Sequence, residues 1–443
     1  MEKLRSDHTD SEHFIGAKRT AGELTNVNLS VLVTEAFMLA VETDADWSML
    51  FPLTKGSART AGAEIIKRAW PGREGLVPCV VYKRLAAKVL WQRIVDSAYQ
   101  SAEPGVLFID RINRLNNLDY CESISATNPC GEIPLPPYGA CNLGSLNLTR
   151  FIKAPFSPNA ALDHEALGSA ATDAVRMLDN VIDISRYPLP EQETQAKAAR
   201  RIGLGITGLA DALIMQGLYY GSEQGRMMAS AAMDTIRNAA YRASVELAKE
   251  KGAFPLFNKT HYLTRPFIHR LPESIQEGIR QHGIRNSHLI AIAPTGTISL
   301  LANNISSGIE PVFEFEHRRL IRGLGEESRW YELTDYALHY WREHFPGRPL
   351  PENFVNARSL PPSAHLAMQA ALQPYVDSAI SKTINTPADC PLQEFSDIFR
   401  QANEHGLKGC TAYRPNAVTG AVLGGINDES TPSHCCGLDR EDS

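Results

Sequence analysis

The segment Asn128–Glu132 combines three side chains suited to catalysis with two residues that disfavour a helix. An amide (Asn128), a thiol (Cys130) and a carboxylate (Glu132) alternate with a proline and a glycine. In an extended backbone, such alternating residues point to one side, so we expect the three groups to share one small volume. That volume would hold a sulfur reagent, a hydrogen-bonding group and a general base. The alternative is a proline-rich surface loop with a chance cysteine, because short motifs give false positives.

A second thiol, Cys141, lies eleven residues after Cys130. Two cysteines so close together suggest redox chemistry. The chain has eight cysteines, too sparse for a disulfide scaffold, and they form no paired CxxC motifs for structural zinc. We expect the other cysteines that precede the C-terminal tail to be small buried residues: Cys79, Cys121, Cys390 and Cys410.

The segment 291–299 is a candidate phosphate loop. It follows an apolar strand, and its glycine and hydroxyl residues leave N–H and O–H donors that can surround a phosphate. The alternative is an ordinary strand-to-helix turn, because glycine and threonine are common in turns. A phosphate site of this kind requires no lysine.

Strands alternate with longer helices along the chain, which predicts an α/β architecture with parallel strands. Apolar periodicity and capping residues predict helices that begin near 34 and at 82–102, 164–185, 209–216, 222–251, 272–281, 333–344 and 392–405. Strands or short apolar segments are predicted at 25–33, 106–109, 142–148, 201–206, 289–293 and 380–384. From residue 416 onward the apolar periodicity is lost, which is typical of a flexible tail.

The bulk composition excludes several classes of protein. The chain has 44 basic and 50 acidic residues, mixed along its length, so it offers no electrostatic footprint for long nucleic acids or anionic membranes. No apolar run approaches the roughly 18 residues that span a bilayer, and the first 14 residues are polar rather than a signal peptide. We therefore expect a cytoplasmic protein with no membrane partner. The length of 443 residues leaves the number of domains open.

The stretch ATNPCGEIPLPPYGACNLGSLNL, residues 126–148, resembles the active-site signature of class II, adenosylcobalamin-dependent ribonucleotide reductases. By this resemblance, Cys130 would carry a transient thiyl radical, generated with the cofactor, that takes the 3′ hydrogen of the ribose. Glu132 would deprotonate the 3′ hydroxyl, and Asn128 would hold it by a hydrogen bond. Cys141 would be one of two thiols that reduce the 2′ position after water leaves and end as a disulfide.

The resemblance extends to further segments. Residues 294–298 resemble the family's substrate-phosphate loop, and 303–311 resemble a neighbouring segment that lines the barrel and supports this loop. The segment 17–25, with Lys18 and Arg19, resembles the loop that relays the identity of a bound effector nucleotide. The substrate-binding residues that the resemblance implies are Asn128, Pro129, Cys130, Gly131, Glu132, Pro294, Thr295, Gly296, Thr297 and Ile298.

The family's fold is a ten-stranded α/β barrel, which implies a catalytic barrel over residues 1–415 and a flexible tail over 416–443. The implied ligands are adenosylcobalamin, a ribonucleoside di- or triphosphate substrate, and a dNTP or ATP effector. The implied reductant is of the thioredoxin or glutaredoxin type. In the tail, Cys435 and Cys436 would shuttle electrons to the buried disulfide, although with His434 they could equally hold a metal.

The match begins in the middle of the family's pattern. In the relatives, the upstream part carries the thiol that pairs with the one matched by Cys141, part of the substrate site and most of the effector site. We therefore expect a barrel that is incomplete on its N-terminal side, with unpaired strand edges. Activity would then require a second chain that supplies the missing strands and thiol, unless the chain derives from an interrupted gene.

Two other functions remain open at this stage. The first is the oxygen-dependent class of reductase, whose radical arrives through tyrosines near the C-terminus. The short spacing between Cys130 and Cys141, and the lack of a Tyr-Tyr pair in the tail, favour cobalamin instead. The second is a non-catalytic or split-enzyme nucleotide-binding fragment that keeps the family's loops and needs a partner chain for activity.

Overall fold

A computed structural model describes residues 2–18, 27–53, 62–70, 73, 75–322 and 328–415. Arg19 of the predicted effector loop lies outside the described residues. The predicted tail at 416–443, with Cys435 and Cys436, also lies outside them.

The described residues contain both short and long strands. They are β1 Glu2–Arg5, β2 Leu29–Val33, β3 Asp46–Pro52, β4 Ile65–Ala69, β5 Leu76–Ala86, β6 Gly105–Phe108, β7 Ala126–Thr127, β8 Pro134–Leu135, β9 Asn142–Asn147, β10 Ile152–Lys153, β11 Ala161–Leu162, β12 Ile202–Thr207, β13 Glu316–Arg322, β14 Ser328–Thr334, β15 Thr383–Asn385 and β16 Gly409–Tyr413.

The α-helices alternate with these strands through most of the chain. They are α1 Ser11–Gly16, α2 Glu35–Glu42, α3 Ala87–Ser101, α4 Ile109–Arg114, α5 His164–Ile184, α6 Pro190–Ala199, α7 Leu209–Met215, α8 Glu223–Lys251, α9 Lys259–Tyr262, α10 Glu273–His282, α11 Gly296–Leu301, α12 Tyr336–His344, α13 Pro362–Leu372 and α14 Leu392–Glu404. Among the described residues, no helix is both long and apolar enough to cross a membrane.

Eight strand segments form one continuous series, which we call the strand series. Its largest sheet has the order β1–β2–β6–β16–β15. Two parallel bridges continue this sheet through the segment 289–293. Ile292 pairs with Ile380, which precedes β15, and Ile290 pairs with Leu204 of β12, which in turn pairs with β9. The strands β1, β2 and β6 form one parallel set. The other set consists of β9, β12, the segment 289–293, β15 and β16. The two sets are joined by β6 and β16, which pair antiparallel. Within the described residues, no backbone pairing joins β9 to β1.

Helices pack on both parallel sets and bury the apolar faces of the strands. Leu178 of α5 lies in one buried cluster with Ile206 of β12. Ile94 of α3 and Phe399 of α14 lie in a second cluster with Val106 of β6. Each fully buried side chain of this size contributes about 1.5–3 kcal/mol to folding. The predicted α/β class with parallel strands is confirmed.

The helix α8 has the limits that its capping residues predict. The Ser222 hydroxyl oxygen accepts a hydrogen bond from the Gly225 N–H (2.9 Å), and Gly252, with φ 82°, follows the last helical residue. The helix α5 is capped in the same way, because the Asp163 carboxylate accepts the Ala166 N–H (3.1 Å). The helices predicted at 164–185 and 222–251 are therefore confirmed to within one residue at each end.

Two other predicted helix boundaries were wrong. The helix predicted at 82–102 begins only at Ala87, because Tyr82 and its neighbours belong to β5, which pairs with β3 and β4. The helix predicted at 333–344 begins three residues later, where the Asp335 carboxylate caps α12. In both cases an apolar run that resembles part of a helix is used by an antiparallel strand.

The strand β12 and the segment 289–293 approach each other closely at Gly205. A Cβ atom added to Gly205 would overlap the carbonyl oxygen of Ala291. That oxygen belongs to the backbone between paired strand residues, so it has little freedom to move. Glycine is therefore required at position 205 for a steric reason.

Replacing Gly205 with alanine is expected to lower the free energy of unfolding by at least about 3 kcal/mol, because the methyl group would force two strands apart. Gly168→Ala on α5 is the matched control: its methyl would meet Thr235 and Ala239 only at ordinary contact distances of 3.7 and 3.8 Å. Alanine should stabilise that helix by about 0.5–1 kcal/mol. Urea unfolding of both variants measures the difference, and equal stabilities would contradict the close approach.

Candidate active site

The residues Asn128–Ile133 form the turn between β7 and β8, which pair antiparallel. The Asn128 N–H donates to the Ile133 carbonyl (3.0 Å), and the Ile133 N–H donates to the Asn128 side-chain oxygen (3.0 Å). Gly131 adopts φ 83°, a conformation that favours glycine. The extended backbone predicted for this segment was wrong, because the amide side chain of Asn128 closes the turn.

This 128–133 turn and the strand residue before it contact residues of both parallel sets. Lys3 of β1 donates from Nζ to the carbonyl of Thr127, the last residue of β7 (2.5 Å). The N–H of Ala379, which precedes the bridge residue Ile380, donates to the Glu132 carbonyl (2.8 Å). The glycine of the turn faces Leu107 of β6. Residues 127–132 therefore lie against both parallel sets.

Glu132 is a buried carboxylate with an unused acceptor. The residue is 2% exposed, and its Oε2 has no hydrogen-bond partner among the described residues. Burial raises the pKa of Glu132, whereas hydrogen bonds from its own N–H and from Asn128 act in the opposite direction. A buried polar atom without a partner costs about 1–3 kcal/mol and is rare unless a ligand or water completes it. The Glu132 carboxylate is therefore suited to accept a proton or hydrogen bond from a ligand.

The structure brings Cys141 within electrostatic range of Glu132. Cys130 lies in the turn itself, Cys141 directly precedes β9, and both are half-buried. Burial raises the pKa of Cys141 to about 12; the charge of Arg201 acts against this, and the carboxylates of Asp377 and Glu132 add to it. The Cys141 thiol therefore keeps its proton at neutral pH, as a hydrogen-donating reductant requires.

The predicted phosphate loop follows the segment 289–293 at the carboxyl end of its strand set. Its half-buried first residue, Pro294, precedes Thr295, which adopts φ 57°. The Thr295 hydroxyl forms a hydrogen bond with the Thr207 hydroxyl (2.9 Å) and accepts the Gly308 N–H (2.7 Å). The Thr295 hydroxyl therefore fixes the shape of the loop.

The second half of this loop is open to solvent. Gly296 begins the short helix α11, and Thr297 and Ile298 are exposed. The first N–H groups of a helix have no partners within it, and ligands of α/β proteins bind beyond the carboxyl ends of parallel strands. The backbone of 296–298 and the Thr297 hydroxyl can therefore donate to an anion.

The segment 303–311 lies against this loop, as predicted for a supporting role. The Ser306 N–H donates to Oδ2 of Asp211 on α7 (2.6 Å), and the Ser306 hydroxyl oxygen accepts the Ala210 N–H (3.1 Å). Gly308 reaches Thr295 directly. The segment thus connects the phosphate loop to the helix that follows β12.

Two buried carboxyl groups, Asp211 and Asp335, hydrogen-bond to each other behind this segment. Asp211 also accepts the Ala337 N–H (3.0 Å), and Asp335 accepts the N–H groups of Ala337 (3.1 Å) and Leu338 (3.2 Å). Burial and then the charge of Asp211 raise the pKa of Asp335 well above its ordinary value. Asp335 is therefore the protonated partner and donates to Asp211.

Lys18 of the predicted effector loop forms an ion pair within the protein. Its Nζ lies 2.8 Å from Oε2 of Glu103, and the same oxygen accepts the Leu29 N–H (2.8 Å). The Lys18 charge is therefore neutralised at the start of β2. Its neighbour Arg19 lies outside the described residues, so the effector role stays a prediction.

Sequence reasoning missed two residues of the site, Lys3 and Arg201. Neither residue belongs to a sequence motif. Burial lowers the pKa of Lys3 to about 8. Arg201 forms a buried ion pair with Glu122 (2.5 Å). A basic residue directly before an apolar, glycine-rich segment is the only signal that points to Arg201.

Cys121 is exposed, so its predicted burial was wrong. The other cysteines expected in the interior are buried: Cys79, Cys390 and Cys410.

Comparison with known proteins gives a consistent set of relatives. Residues 1–413 match the family described as "Ribonucleotide reductase, barrel domain". The chain is 36% identical over 441 residues to a vitamin B12-dependent ribonucleoside-diphosphate reductase of Mycobacterium tuberculosis, covering 96% of this chain and 56% of the relative. It is 33% identical to the protein of the same name from Thermoplasma acidophilum, covering 96% and 52%.

A third relative bears a different name. The chain is 26% identical to a ribonucleoside-diphosphate reductase subunit alpha of Chlamydia pneumoniae, with 94% of this chain and 44% of the relative covered. The chain thus spans about half the length of the curated relatives that it matches.

Replacing Asp335 with asparagine should make the stability of the protein less dependent on pH. Because the folded-state pKa of Asp335 is raised, its contribution is present at low pH and is lost as the pH rises through that pKa. Asparagine keeps the helix cap and the donor to Asp211 without a proton to lose. Melting temperatures between pH 4 and pH 10 should fall less in Asp335→Asn than in the wild type, because the loss begins above the ordinary aspartate pKa of about 3.9.

The control is Asp335→Ala, which removes both the cap and the donor. It should be less stable at every pH by about 1–3 kcal/mol. If the wild type and Asp335→Asn changed stability in parallel over the whole range from about pH 4 to pH 10, the protonated carboxyl pair would be refuted.

Proposed function

The chain belongs to the ribonucleotide reductase family through its barrel domain, and from this membership we propose that it carries the catalytic core of a ribonucleotide reductase. The reaction converts a ribonucleotide to the 2′-deoxyribonucleotide, a precursor of DNA, with adenosylcobalamin as the cofactor. The substrate would be a ribonucleoside diphosphate, as the names of the relatives from Mycobacterium and Thermoplasma state for those proteins. The observation that carries the proposal is the buried Glu132 carboxylate, with its unpartnered oxygen, in the same turn as Cys130.

The proposed reaction uses four side chains of the site. Cys130, as a thiyl radical, takes the 3′ hydrogen of the ribose, Glu132 removes the proton of the 3′ hydroxyl, and Asn128 orients that hydroxyl. After the 2′ hydroxyl leaves as water, Cys141 and a second thiol deliver two electrons and become a disulfide. The 3′ hydrogen then returns from Cys130 to the ribose. Positioning, proton transfer and exclusion of water are the protein's part of such a reaction.

Adenosylcobalamin, when bound, supplies the radical chemistry. The described residues fit such a group at one point. Cys130 is half-buried rather than sealed in the core, so a bound cofactor could approach this residue. The protein's contribution is to present this thiol next to a buried base.

The substrate phosphates would bind at Pro294–Ile298. The exposed Thr297 and the N–H groups at the start of α11 support this assignment. Pro129 and Gly131 would contact the sugar through the backbone of the turn, beside Cys130.

The remaining assignments follow from the family. Lys18 and Arg19 belong to a loop that responds to a dNTP or ATP effector. The reductant is a thioredoxin or glutaredoxin, and Cys435 and Cys436 in a tail at 416–443 pass its electrons to the disulfide. The site of action is the cytoplasm.

We also propose that the strand series belongs to a ten-stranded barrel. The antiparallel meeting of two parallel sets, and the contacts of residues 127–132 with both of them, support this. The closing strands would lie between β9 and β1, where the described residues form no pairing. A second chain or further residues of the same protein would supply these strands and the thiol partner of Cys141.

The test of the proposed function is Cys130→Ser. The variant should fold normally but form no deoxyribonucleotide, because an alcohol O–H is far harder to convert to a radical than a thiol. The assay supplies the native protein, with any chain that accompanies it in the cell, with a ribonucleoside diphosphate, adenosylcobalamin and a dithiol. Electron paramagnetic resonance should show a thiyl signal only when Cys130 is present.

Cys121→Ser is the matched control, because it makes the same change at an exposed cysteine outside the proposed chemistry. It should retain full activity. Persistent reduction in Cys130→Ser would refute the radical site.

The acid side of the pH–rate profile should report Glu132. Burial raises the pKa of Glu132. As the pH is lowered, kcat/KM should therefore begin to fall at a higher pH than it would with an ordinary glutamate, whose pKa is about 4.3. Glu132→Gln should lose about 10²–10⁴-fold in rate, and the limb that reports the carboxyl group should disappear. A Glu132→Gln profile that kept the same acid limb would assign that limb to another group.

A further inference from the structure

We propose that Arg201 is a positioning residue that controls the reactivity of the Cys141 thiol in thiol–disulfide exchange. The inference rests on the proposed function, in which Cys141 cycles between thiol and disulfide. Strand pairing gives its geometric basis. Ile202 of β12 lies opposite Asn142 of β9 in a parallel ladder, so the preceding residues, Arg201 and Cys141, are neighbours at the start of the two strands. Neighbouring residues in such a ladder project to the same face.

The Arg201 guanidinium is buried and incompletely used. Its side chain is 1% exposed, and one terminal nitrogen lies 2.5 Å from the Glu122 carboxylate. Its Nε has no hydrogen-bond partner among the described residues. A buried N–H without an acceptor is costly, and a negatively charged acceptor would satisfy it best. A thiolate at position 141 is such an acceptor.

Three charged groups act on the Cys141 thiol. The cation is Arg201, and the carboxyl groups are those of Asp377 and Glu132. Asp377 is itself bound by the Tyr241 hydroxyl (2.6 Å) and by two backbone N–H groups (2.8 and 2.9 Å). The Asp377 carboxylate is thus held in place, and Arg201 is the group that can stabilise negative charge on the sulfur.

The step that needs this stabilisation is the return of the disulfide to two thiols. A thiolate of an external dithiol attacks the sulfur joined to Cys141, a new S–S bond forms, and the Cys141 sulfur leaves with the electron pair. Arg201 stabilises this leaving thiolate, which then takes a proton from water. The second thiol of the dithiol completes the exchange, so the dithiol loses two electrons and the protein gains them.

The test measures Cys141 in the purified chain, with no cofactor and no turnover. Neutral 2,2′-dipyridyl disulfide is added between pH 7 and pH 10, and mass spectrometry of peptides follows modification of Cys141. Arg201→Met should react at least about threefold more slowly at pH 8, because each unit of raised thiol pKa slows exchange about three- to fourfold. Because the pKa of Cys141 is about 12, both rates should rise about tenfold per pH unit across this range, and the slower rate of Arg201→Met should persist throughout it.

Glu122→Gln provides a test of opposite sign. Removing the carboxylate leaves the Arg201 charge unneutralised, so Cys141 should react faster than in the wild type. A residue that only maintains structure would not give opposite effects for the two partners of one ion pair. Arg201→Lys, which keeps the charge, should recover most of the wild-type rate.

Arg200→Met is the matched control. Arg200 also forms a buried ion pair, with Asp179 on α5 (2.8 Å), so its loss disturbs the fold without touching Cys141. The double variant Glu122→Gln with Arg201→Met removes both charges and avoids a buried unpaired carboxylate, in case Arg201→Met alone does not fold. The double variant should be slow, and Arg200→Met should react at the wild-type rate.

An unchanged Cys141 rate in the double variant, or equal slowing in Arg200→Met and Arg201→Met, would overturn the inference. Slowing in Glu122→Gln would also overturn it. None of these results depends on reductase activity. The proposed function is tested separately by Cys130→Ser, so the two failures are distinguishable.

Discussion

The placement of the 128–133 turn between two parallel strand sets is the constraint on which the rest of the structure depends. A turn has polar backbone groups, and those that leave water need partners. The side chain of Asn128 satisfies one of them and the Ala379 N–H a second, and Lys3 binds the carbonyl directly before the turn. Lys3 lies in one strand set and Ala379 adjoins a bridge residue of the other, so the turn has these contacts only when the two sets have come together. The candidate site is therefore a product of the whole strand series and not of a local motif.

The loops at the carboxyl ends of the strands are supported differently. The phosphate loop rests on hydroxyl groups of Thr295 and Thr207, and the segment behind it rests on the carboxyl pair of Asp211 and Asp335. A shared proton makes this pair an attractive contact, although two ionised carboxylates at that distance would repel each other. At Gly205 the missing side chain lets neighbouring strands approach. The phosphate loop therefore projects from strands whose spacing is fixed by packing.

The sequence predicted the α/β class and those helices whose ends carry their own caps. The limits of α8 followed from Ser222 and Gly252, because both signals act within a few residues of the helix end. Where the deciding partner is distant in sequence, prediction failed. The strand β5 extends through Tyr82 because β3 and β4 pair with it, and neither pairing is visible in local periodicity. The 128–133 turn was misjudged for a different, local reason, because the Asn128 side chain closes it by accepting the Ile133 N–H.

The chemical groups of the candidate site could be proposed from the sequence because a thiol, a carboxylate and an amide lie within five residues, with a second thiol nearby. Arg201 could not be, because its role depends on strand register and on Glu122. Cys141 has two conflicting requirements in the proposed cycle: it must remain protonated to donate hydrogen, and it must leave as an anion when the disulfide is reduced. Burial and the nearby carboxylates favour the first state, and a buried guanidinium favours the second. A single cation beside a desolvated thiol lets one sulfur meet both requirements in turn.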